Sequence, residues 1–343
     1  MSGAIRTMKE FATYAGLSRQ TVSKYFNDPE SVRHTTRSRI EIAMATCRFQ
    51  PNLHAMNLNR RQSQLLGIIV PHTLDPFYMS LTRRIEQVAT KHGYTAFALS
   101  SDGNRELEER AIRTFASMNV AGTIIAPLGA KRQHSPLRKA KRDMPIVAMD
   151  SPLDDATAFV GTNNRSSIAL MVDYLCRSGE PPAWFDIPTI NQTAMERRLA
   201  YAESMQRLGH VPRWLSLAPW EDWHFERYAR READRLFTDG TLPSNTILCA
   251  NDRLAFGVIS AAWAHRLKVG READCDLRVA GHDNHPLSAY TCPPLTTVAQ
   301  DHDRIAEVAT ELLFARMQEH QPRSSAADKH VLLDGTLVMR ESA

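Results

Sequence analysis

The sequence of 343 residues lacks the usual marks of membrane, secreted and metal-binding proteins. No apolar run approaches the ~18 residues that a membrane span needs. Charged residues interrupt the first sixteen positions, so we expect no signal segment. The five cysteines are scattered and form no C-x-x-C pair, which argues against a disulfide framework or a structural zinc site. These absences favour a reduced, cytoplasmic protein.

The common catalytic motifs are also missing. The chain has no G-x-S-x-G, P-loop, H-E-x-x-H or G-x-G-x-x-G sequence. The stretch GHDNH at 281–285 suggests a metal site, because His282, Asp283 and His285 are close in sequence. However, successive side chains at a strand end are expected to point to opposite faces. We therefore predict no catalytic residue, no metal and no cofactor.

Positive charge is concentrated at one end of the chain. The net charge is +4, yet residues 1–61 contain ten Lys and Arg against four Asp and Glu. The remaining residues contain 32 basic and 34 acidic side chains. A basic head on a neutral-to-acidic body is typical of nucleic-acid binding, so we expect the protein at the nucleoid. The length of the chain indicates more than one domain.

Capping signals predict three short helices within residues 1–50. Thr7-x-x-Glu10 is a capping box at the start of the first helix. Gly16 favours the left-handed conformation that ends it, and Ser18 is suited to cap the second. A third helix is expected after residues 35–36 and is stopped by Pro51. Its predicted buried stripe is Ile40, Ala43, Met44 and Cys47.

The second helix has one apolar and one polar side. Val22 and Phe26 are predicted to point inward, and the opposite side carries Arg19, Gln20, Ser23 and Lys24. Two helices joined at a glycine form a helix-turn-helix, whose second helix enters the major groove. Arg can bind guanine and Gln can bind adenine through two hydrogen bonds each. The alternative is an ordinary solvated helix face.

Sequence motifs throughout the chain resemble the lac repressor (LacI/GalR) family of transcriptional regulators. They are A-G-x-S-x-x-T-V-S, P-N-x-x-A-x-x-L, I-I-V-P, A-N-D, G-x-D and P-P-L-T-T-V. The resemblance covers nearly the whole chain. It implies base reading by Arg19, Gln20 and Lys24. It also implies phosphate contacts by Thr7, Thr21, Asn27, Ser31 and Thr36.

Residues 51–65 join the head to the rest of the chain. Alone they indicate a polar linker too short to fold by itself. The resemblance implies a helix that forms on DNA and inserts Leu58 into the minor groove, with Ala55 one turn earlier. Asn52 and Arg60 would face the DNA backbone. Two such leucines require a dimer on a near-palindromic operator, and no leucine heptad follows that would indicate a tetramer.

The body alternates short apolar runs with amphipathic helical segments. This alternation predicts parallel sheets covered by helices, in two doubly wound subdomains. We expect one subdomain from residues 66–160 with about 293–325 and the other from 161–292 with about 326–343. Expected helices begin at Ser166 and Thr193, and another ends at Lys268. The fold class is therefore a multi-domain chain, with an all-α helix-turn-helix head and an α/β body.

Polar residues gather where the predicted strands end. Parallel sheets bind ligands at that edge, and carboxylates with a planar arginine suit a sugar, a polyol or a sugar acid. Aromatic rings could cover an apolar sugar face. The candidates are Asp75, Phe77, Tyr78, Asp150, Arg197, Trp220, Trp223, Asn251 with Asp252, and Asp283. The alternative is that the Asp and Asn residues only cap helices.

The family resemblance implies that this body folds like a periplasmic sugar-binding protein and holds an effector. Arg197, Asn251 and Asp283 match the best-marked effector contacts, and Asp150, Phe77 and Gln300 match further ones. Two departures leave the effector undefined. His282 replaces an aromatic residue, and the approach to Arg197 and Arg198 is atypical. Other classes to consider are a solute-binding protein, which would need an export signal, and a sugar-modifying enzyme, which would need a catalytic motif.

Overall fold

A computed structural model describes residues 5, 7–47, 49, 63–129, 140, 144–154, 156–187, 191–219, 223–318 and 330–343. The chain divides into two compact units. The head comprises residues 1–64 with 117–121, and the body comprises residues 65–116 with 122–343. Among the described helices, none is both long and apolar enough to cross a membrane.

Three helices form the head, α1 (Met8–Ala15), α2 (Arg19–Asn27) and α3 (His34–Cys47). The capping box is present, since the Thr7 hydroxyl accepts from the Glu10 N–H and the Glu10 carboxylate accepts from the Thr7 N–H, each at 3.2 Å. Gly16 ends α1 in the left-handed region at φ 60°. Ser18 starts α2 by accepting from the Thr21 N–H at 3.0 Å. The predicted helix-turn-helix is therefore confirmed.

A small apolar core holds the three head helices together. Phe11, Val22 and Ile40 are completely buried in it. The Phe11 ring stacks on Phe49 with ring centroids 4.5 Å apart. Phe26 is half-buried and packs against the same core, so the predicted inner side of α2 is confirmed. Burying this side fixes which face of α2 remains outside.

The first lobe of the body is built on a six-stranded parallel sheet of order β2-β1-β3-β4-β5-β11. The strands are β1 (Leu65–Val70), β2 (Thr95–Ser100), β3 (Gly122–Ile125), β4 (Ile146–Met149), β5 (Ala158–Thr162) and β11 (His330–Leu333). The central strands are nearly continuous apolar runs and are buried, because helices cover both faces of such a sheet.

Three of the described helices cover this sheet, α4 (Pro76–Lys91), α5 (Arg105–Ser117) and α10 (His302–Gln318). The strand order changes direction at β1, and crossovers between parallel strands are right-handed. Consequently α4 and α5 lie on opposite faces. Helix α10 packs beside α4 and against β3, β4 and β5. The ligand-binding edge of such a sheet lies where the order reverses, between β1 and β3.

The second lobe is built on a four-stranded parallel sheet of order β7-β6-β8-β9. Its strands are β6 (Ala183–Phe185), β7 (Arg213–Trp214), β8 (Thr246–Cys249) and β9 (Arg278–Ala280). Its helices are α6 (Asn164–Ser178), α7 (Gln192–Arg207), α8 (Phe225–Asp239) and α9 (Asp252–Ala264). An antiparallel pair, β10 (Thr297–Ala299) with β12 (Thr336–Val338), continues the lobe beside β9 through single bridges. The predicted α/β body with two parallel sheets is thus confirmed.

Helix bounds differ from expectation where a cap was overlooked. Asn163 and Asn191 accept from N–H groups three residues later, so α6 and α7 begin before Ser166 and Thr193. Helix α9 ends at Ala264 and does not reach Lys268. These shifts move no side chain to another face of its helix.

Three chain segments connect the lobes, and the last two lie later than predicted. The return to the first lobe follows β10, although the sequence had suggested a boundary near 293. The chain passes from the first lobe to the second after β5, returns after β10 and passes again after β11. Residues 330–333 form β11, whose His330 to Leu333 pair with Phe159 to Thr162 of β5. The last change of lobe therefore follows residue 333, although the sequence had suggested a boundary near 326. A short apolar run alone does not reveal which sheet it joins.

Candidate functional site

A cleft lies where the carboxyl ends of the strands in the two lobes face each other. It encloses about 520 Å³ of empty space, including its open mouth, which is typical of small-molecule sites. The residues lining it are Asp75, Phe77, Tyr78, Asp150, Ile187, Asn191, Thr193, Ala194, Arg197, Trp223, Phe225, Ala250, Asn251, Asp283 and Gln300.

Three helices begin at this cleft, and each is capped by its own side chain. Asp75 accepts from the Phe77 N–H of α4 at 3.0 Å. Asn191 accepts from the N–H of Ala194 in α7, and Asn251 caps α9 in the same way, each at 2.9 Å. The caps hold Asp75, Asn191 and Asn251 in place, so these side chains are both structural and available to the cleft.

Arg197 and Asp283 form a buried ion pair in the wall of the cleft. Arg197 Nη1 lies 3.1 Å from Asp283 Oδ1, and the arginine side chain is only 8% exposed. Arg197 also donates from Nε to Asn164 and from Nη1 to the carbonyl oxygen of Ala250, each at 2.9 Å. Burial alone would raise the pKa of Asp283, but the charge of Arg197 and the contact with His282 together outweigh burial, and the pKa is lowered. Asp283 is therefore ionised at neutral pH.

Two further side chains hold Asp283 from behind. Gln300 Nε2 donates to its Oδ1 at 2.6 Å. His282 Nδ1 lies 3.0 Å from the same oxygen, and its Nε2 lies 2.9 Å from Ser167 Oγ. Burial, together with the charge of Arg197, lowers the pKa of His282 to about 4, so the ring is neutral at pH 7. A neutral ring has one donor and one acceptor nitrogen, so Nδ1 donates to Asp283 and Ser167 donates to Nε2.

Asp150 is a second buried carboxylate, on the opposite wall. Its Oδ2 accepts from the Tyr78 hydroxyl at 2.9 Å. Burial raises the pKa of Asp150 to about 6, although Arg197 and the Tyr78 hydrogen bond act in the other direction. The group is still mostly ionised at neutral pH, and an ionised carboxylate only accepts hydrogen bonds. It therefore offers acceptor capacity to a ligand's hydroxyl groups.

Several contacts join the two lobes across the cleft. Arg253 of α9 lies 3.0 Å from Asp75 and also pairs with Glu226 at 2.6 Å. The Trp223 ring is nearly parallel to His72, with centroids 6.3 Å apart. These contacts place a charged pair and an aromatic pair at the rim, so they hold the lobes close together.

The connecting segments are also hydrogen-bonded to each other. Thr162, the last residue of β5, donates to Gln300, which follows β10. Asn163 donates to Asp334, after β11, at 2.9 Å. Gln300 therefore links a connecting segment directly to Asp283 in the cleft.

The structure brings together most of the residues proposed from the sequence. Nine of the ten candidates line the cleft, and Trp220 lies outside the described residues. Asp252, noted with Asn251, does not line it. Its carboxylate is buried and accepts from Ser288 and Thr297, each at 2.6 Å, so it supports α9 from behind. Between the two adjacent arginines, Arg197 enters the cleft, whereas Arg198 is half-exposed and pairs with Asp186 at 2.5 Å.

Sequence reasoning missed six lining residues, Ile187, Asn191, Thr193, Ala194, Phe225 and Ala250. Five of them follow strands β6 and β8 or lie at the start of α7, the location already used to choose the other candidates. An Asn three residues before Ala194 was a detectable helix cap. Phe225 had no comparable signal, because it enters the cleft through the packing of α8.

The expected geometry of residues 281–285 was wrong in one respect. Strand β9 ends at Ala280, and Asp283 has φ 119°, so strand alternation does not apply there. His282 consequently contacts Asp283 instead of pointing away from it. Among the described residues, no group of three or more His, Cys, Asp or Glu side chains is placed to hold a metal ion.

The outer face of α2 is the second candidate site. Arg19, Gln20 and Lys24 are exposed, and Thr21 and Ser23 are half-exposed. Within the described part of the head, neither Arg19 nor Lys24 forms an ion pair. Two unpaired cations beside an exposed amide at the start of a helix suit phosphate and base edges.

The other residues proposed for DNA contact have more local roles or are not described. Thr7 caps α1, Ser31 donates to the Asp28 carbonyl oxygen at 2.6 Å, and Thr36 is half-buried in α3. The side chain of Asn27 and the linker residues Asn52, Ala55, Leu58 and Arg60 lie outside the described residues.

Two family comparisons match the two units of the chain. Residues 7–52 match bacterial regulatory proteins of the lacI family. Residues 185–343 match the periplasmic binding protein-like domain. The first match contains all of α1, α2 and α3, and the second begins in β6.

Curated relatives are similar over almost their whole length. The ribose operon repressor of Escherichia coli (strain K12) is 26% identical over 319 residues, covering 91% of this chain and 93% of that protein. The HTH-type transcriptional repressor CytR of the same strain is 28% identical over 341 residues, covering 98% and 96%. The crystal structure of the lac repressor dimer bound to operator and the anti-inducer ONPF matches with a TM-score of 0.81. It is 24% identical and covers 98% of each chain, and this likeness concerns the fold.

Proposed function

We propose that this chain, a member of the lacI family of bacterial regulatory proteins, represses transcription from a near-palindromic operator and is switched by a small carbohydrate or sugar acid. The relatives that it matches along its length include a ribose operon repressor and the transcriptional repressors PurR and CytR. A DNA-binding head on a ligand-binding body fits a regulator. A transported-solute binder has no use for such a head.

The exposed polar start of α2 carries the proposal. In a helix-turn-helix, the N-terminal residues of the second helix reach base edges in the major groove. Arg19 and Gln20 occupy the first turn, and Lys24 follows one turn later. The burial of Val22 in the head core requires the opposite side of α2 to face outward. Gln20 and Arg19 are the proposed base readers, and Lys24 adds charge against the backbone.

The linker explains why a dimer is proposed. By family resemblance, Leu58 of each of two subunits would enter the minor groove at one central base step. Such a wedge unstacks the step at a cost of a few kcal/mol and bends the duplex. Two symmetric heads then require two half-sites of opposite orientation, so the proposed operator is an inverted repeat.

The cleft is proposed as the effector site. A ligand there would contact Asp75 and Asp150 on one lobe and Arg197 and Asp283 on the other. A ligand that binds one lobe arrangement better than another shifts the balance between them. The two linkers would then meet over one DNA step or separate, and operator affinity would change.

Selection of genomic fragments by the purified chain tests this function. We expect enriched fragments to share an inverted repeat, and binding to weaken steeply with salt, because each phosphate contact releases about 0.9 counterion. A matched control is the double variant Arg19→Ala, Lys24→Ala, which keeps the head core. It should lose both enrichment and most of the salt dependence. Equal recovery of random fragments by both proteins would contradict the proposal.

A further inference from the structure

The charges around the cleft are unbalanced toward the negative. Three lining residues are carboxylates, Asp75, Asp150 and Asp283, whereas Arg197 is the single cation among the described lining residues. Arg253 pairs with Asp75, but it also pairs with the carboxylate of Glu226, so the two together add no net positive charge. A negatively charged ligand would therefore enter a site whose described charges sum to a negative value.

Each of the two arginines near the cleft is already paired with a carboxylate of the protein. Arg197 uses Nε and Nη1 for Asn164, Asp283 and the Ala250 carbonyl oxygen. Arg253 uses Nε and Nη2 for Glu226 and Nη1 for Asp75. Recognition of a carboxylate or phosphate by arginine normally uses two parallel N–H groups of the guanidinium fork. Neither arginine offers two free parallel N–H groups, because on Arg197 only Nη2 lacks a partner among the described residues and on Arg253 both sides of the fork hold carboxylates.

The side chains that cap the helices weaken their N-termini as anion sites. Three helices begin at the cleft, and such ends attract anions through their free N–H groups. Here the side-chain oxygens of Asp75, Asn191 and Asn251 already accept from them. In α4 the cap is itself a carboxylate, so the site that would hold a ligand anion is occupied by a charge of the protein.

The polar side chains of the cleft are well suited to bind the hydroxyl groups of a ligand. Asp150 has no ion-pair partner among the described residues, and it accepts one hydrogen bond, from Tyr78, leaving acceptor capacity. Adjacent hydroxyls can donate to a carboxylate and accept from Arg197 or Asn251. Phe77, Trp223 and Phe225 add apolar surface for one face of a ring.

From these observations, and on the premise that the cleft is the effector site, we propose that the effector is an uncharged polyhydroxyl ring and not a sugar acid or sugar phosphate. The ring is either a free sugar or the sugar of a nucleoside, because both present adjacent hydroxyls without charge. The cleft would discriminate against anions by carboxylate repulsion, as like charges brought together across a binding surface cost several kcal/mol.

Thermal-shift titration of the full chain against charge-matched probes tests this inference. One set is D-glucose, D-glucuronate, D-glucose 6-phosphate and D-glucosamine. The others are D-ribose with D-ribose 5-phosphate, and uridine with uridine monophosphate. We expect an uncharged member to raise the melting temperature, with its anionic counterparts at least about tenfold weaker. A ribose response or a uridine response identifies the source of the ring.

Variants of the cleft test whether the charge of its carboxylates, and not the shape of the ligand, causes the preference for uncharged ligands. Asp150→Asn keeps the size of the side chain and removes one charge. The ratio of the affinity for the uncharged ligand to that for its anionic counterpart should therefore fall by about tenfold. Asp75→Asn, which retains a capping oxygen, should act in the same direction and serves if the first variant folds poorly. Asp239→Asn, on the outer end of α8, is the matched control and should leave the preference unchanged.

The results separate this inference from the proposed function. An anionic or aminated probe that binds more tightly than its uncharged counterpart overturns it, as does a panel in which no uncharged member binds. If genomic fragments are still selected in those cases, the proposed regulator stands and only the effector class is wrong. If no fragment is selected, the proposed function fails whatever the charge of the ligand.

Discussion

At the scale of single residues, His282 determines how the Asp283 carboxylate is held. The ring is completely buried, donates to Asp283 and accepts from Ser167. An aromatic hydrocarbon at this position would fill the space but remove one hydrogen bond from Ser167 and one from Asp283. Because buried polar groups without partners are costly, the histidine and Ser167 form a matched pair.

Replacing His282 by glutamine should alter the response of stability to acid. Burial keeps the folded-state pKa of His282 near 4, below the ordinary value of 6.5. Between these values the unfolded chain takes up a proton that the folded chain does not, so stability falls as the pH falls. From pH 7 to pH 5 this amounts to about 2 kcal/mol.

Urea unfolding at both pH values measures the effect. The His282→Gln variant lacks the titrating group, so its loss of stability on acidification should be smaller by that amount. His282→Phe should show the same reduced pH response with lower stability at pH 7, because its ring cannot bond to Ser167. Identical pH responses in all three proteins would contradict a neutral buried His282.

The exposed Gln20 carries the prediction for base reading. Gln20→Ala should cost about 1–3 kcal/mol on the preferred operator and relax the preference at one base pair. Binding measured on a set of operators with single base changes distinguishes this from a general loss. Arg113→Ala removes an exposed body cation from α5 and serves as the control. Uniform weakening on every operator would mean that Gln20 does not read a base.

At the scale of secondary structure, periodicity and caps made most elements predictable. The capping box at Thr7 and the glycine at 16 located α1, because these interactions lie within one turn of the chain. Strand β11 was placed in the wrong lobe because its partner, β5, is about 170 positions away. Local patterns cannot specify such pairings.

The candidate site was predictable to the extent that the fold places polar residues at strand ends. Asp75, Asn251 and Asp283 could be chosen because they follow apolar runs. Phe225 and the Arg253–Asp75 pair could not, since they depend on how α8, α9 and α4 approach one another across lobes. The positions of single strands do not contain that information.

The Arg253 pair predicts how strongly the elements at the rim hold together. Arg253→Met should destabilise the body by about 3 kcal/mol, because it leaves the carboxylates of Asp75 and Glu226 without their partner in a partly buried place. Chemical denaturation measures the loss. Arg230→Met removes an exposed arginine of α8. The described hydrogen bond of Arg230 is to Ser260. This control should lower the free energy of unfolding by less than about 1 kcal/mol. Equal losses in the two variants would mean that the pairing of Arg253 with Asp75 and Glu226 has no special role.

At the scale of the whole molecule, the proposed switch requires two subunits and a linker that responds to the body. The connecting segments of the body are bonded to each other and, through Gln300, to Asp283. A ligand that changes the contacts of Asp283 therefore acts on a point shared by both lobes. This location suits the transmission of ligand binding to lobe orientation.

The linker residue Leu58 provides the test at this scale. Leu58→Gly should reduce operator bending and weaken operator binding, because the base step is no longer wedged apart. Ligand-induced thermal shifts should remain unchanged, since the cleft is untouched. Gel mobility with the operator at varied positions along a fragment measures the bend. A bend of unchanged angle would assign the bending to other contacts.

The arrangement of β11 and α10 also has a consequence for biosynthesis. Both complete the first lobe, yet they follow the entire second lobe in sequence. As the chain leaves the ribosome, β3, β4 and β5 emerge long before the helix that covers them. The apolar face of these strands stays exposed to water until the chain has been synthesised to about residue 318. Nascent chains of this protein should therefore depend on chaperones until translation is nearly finished.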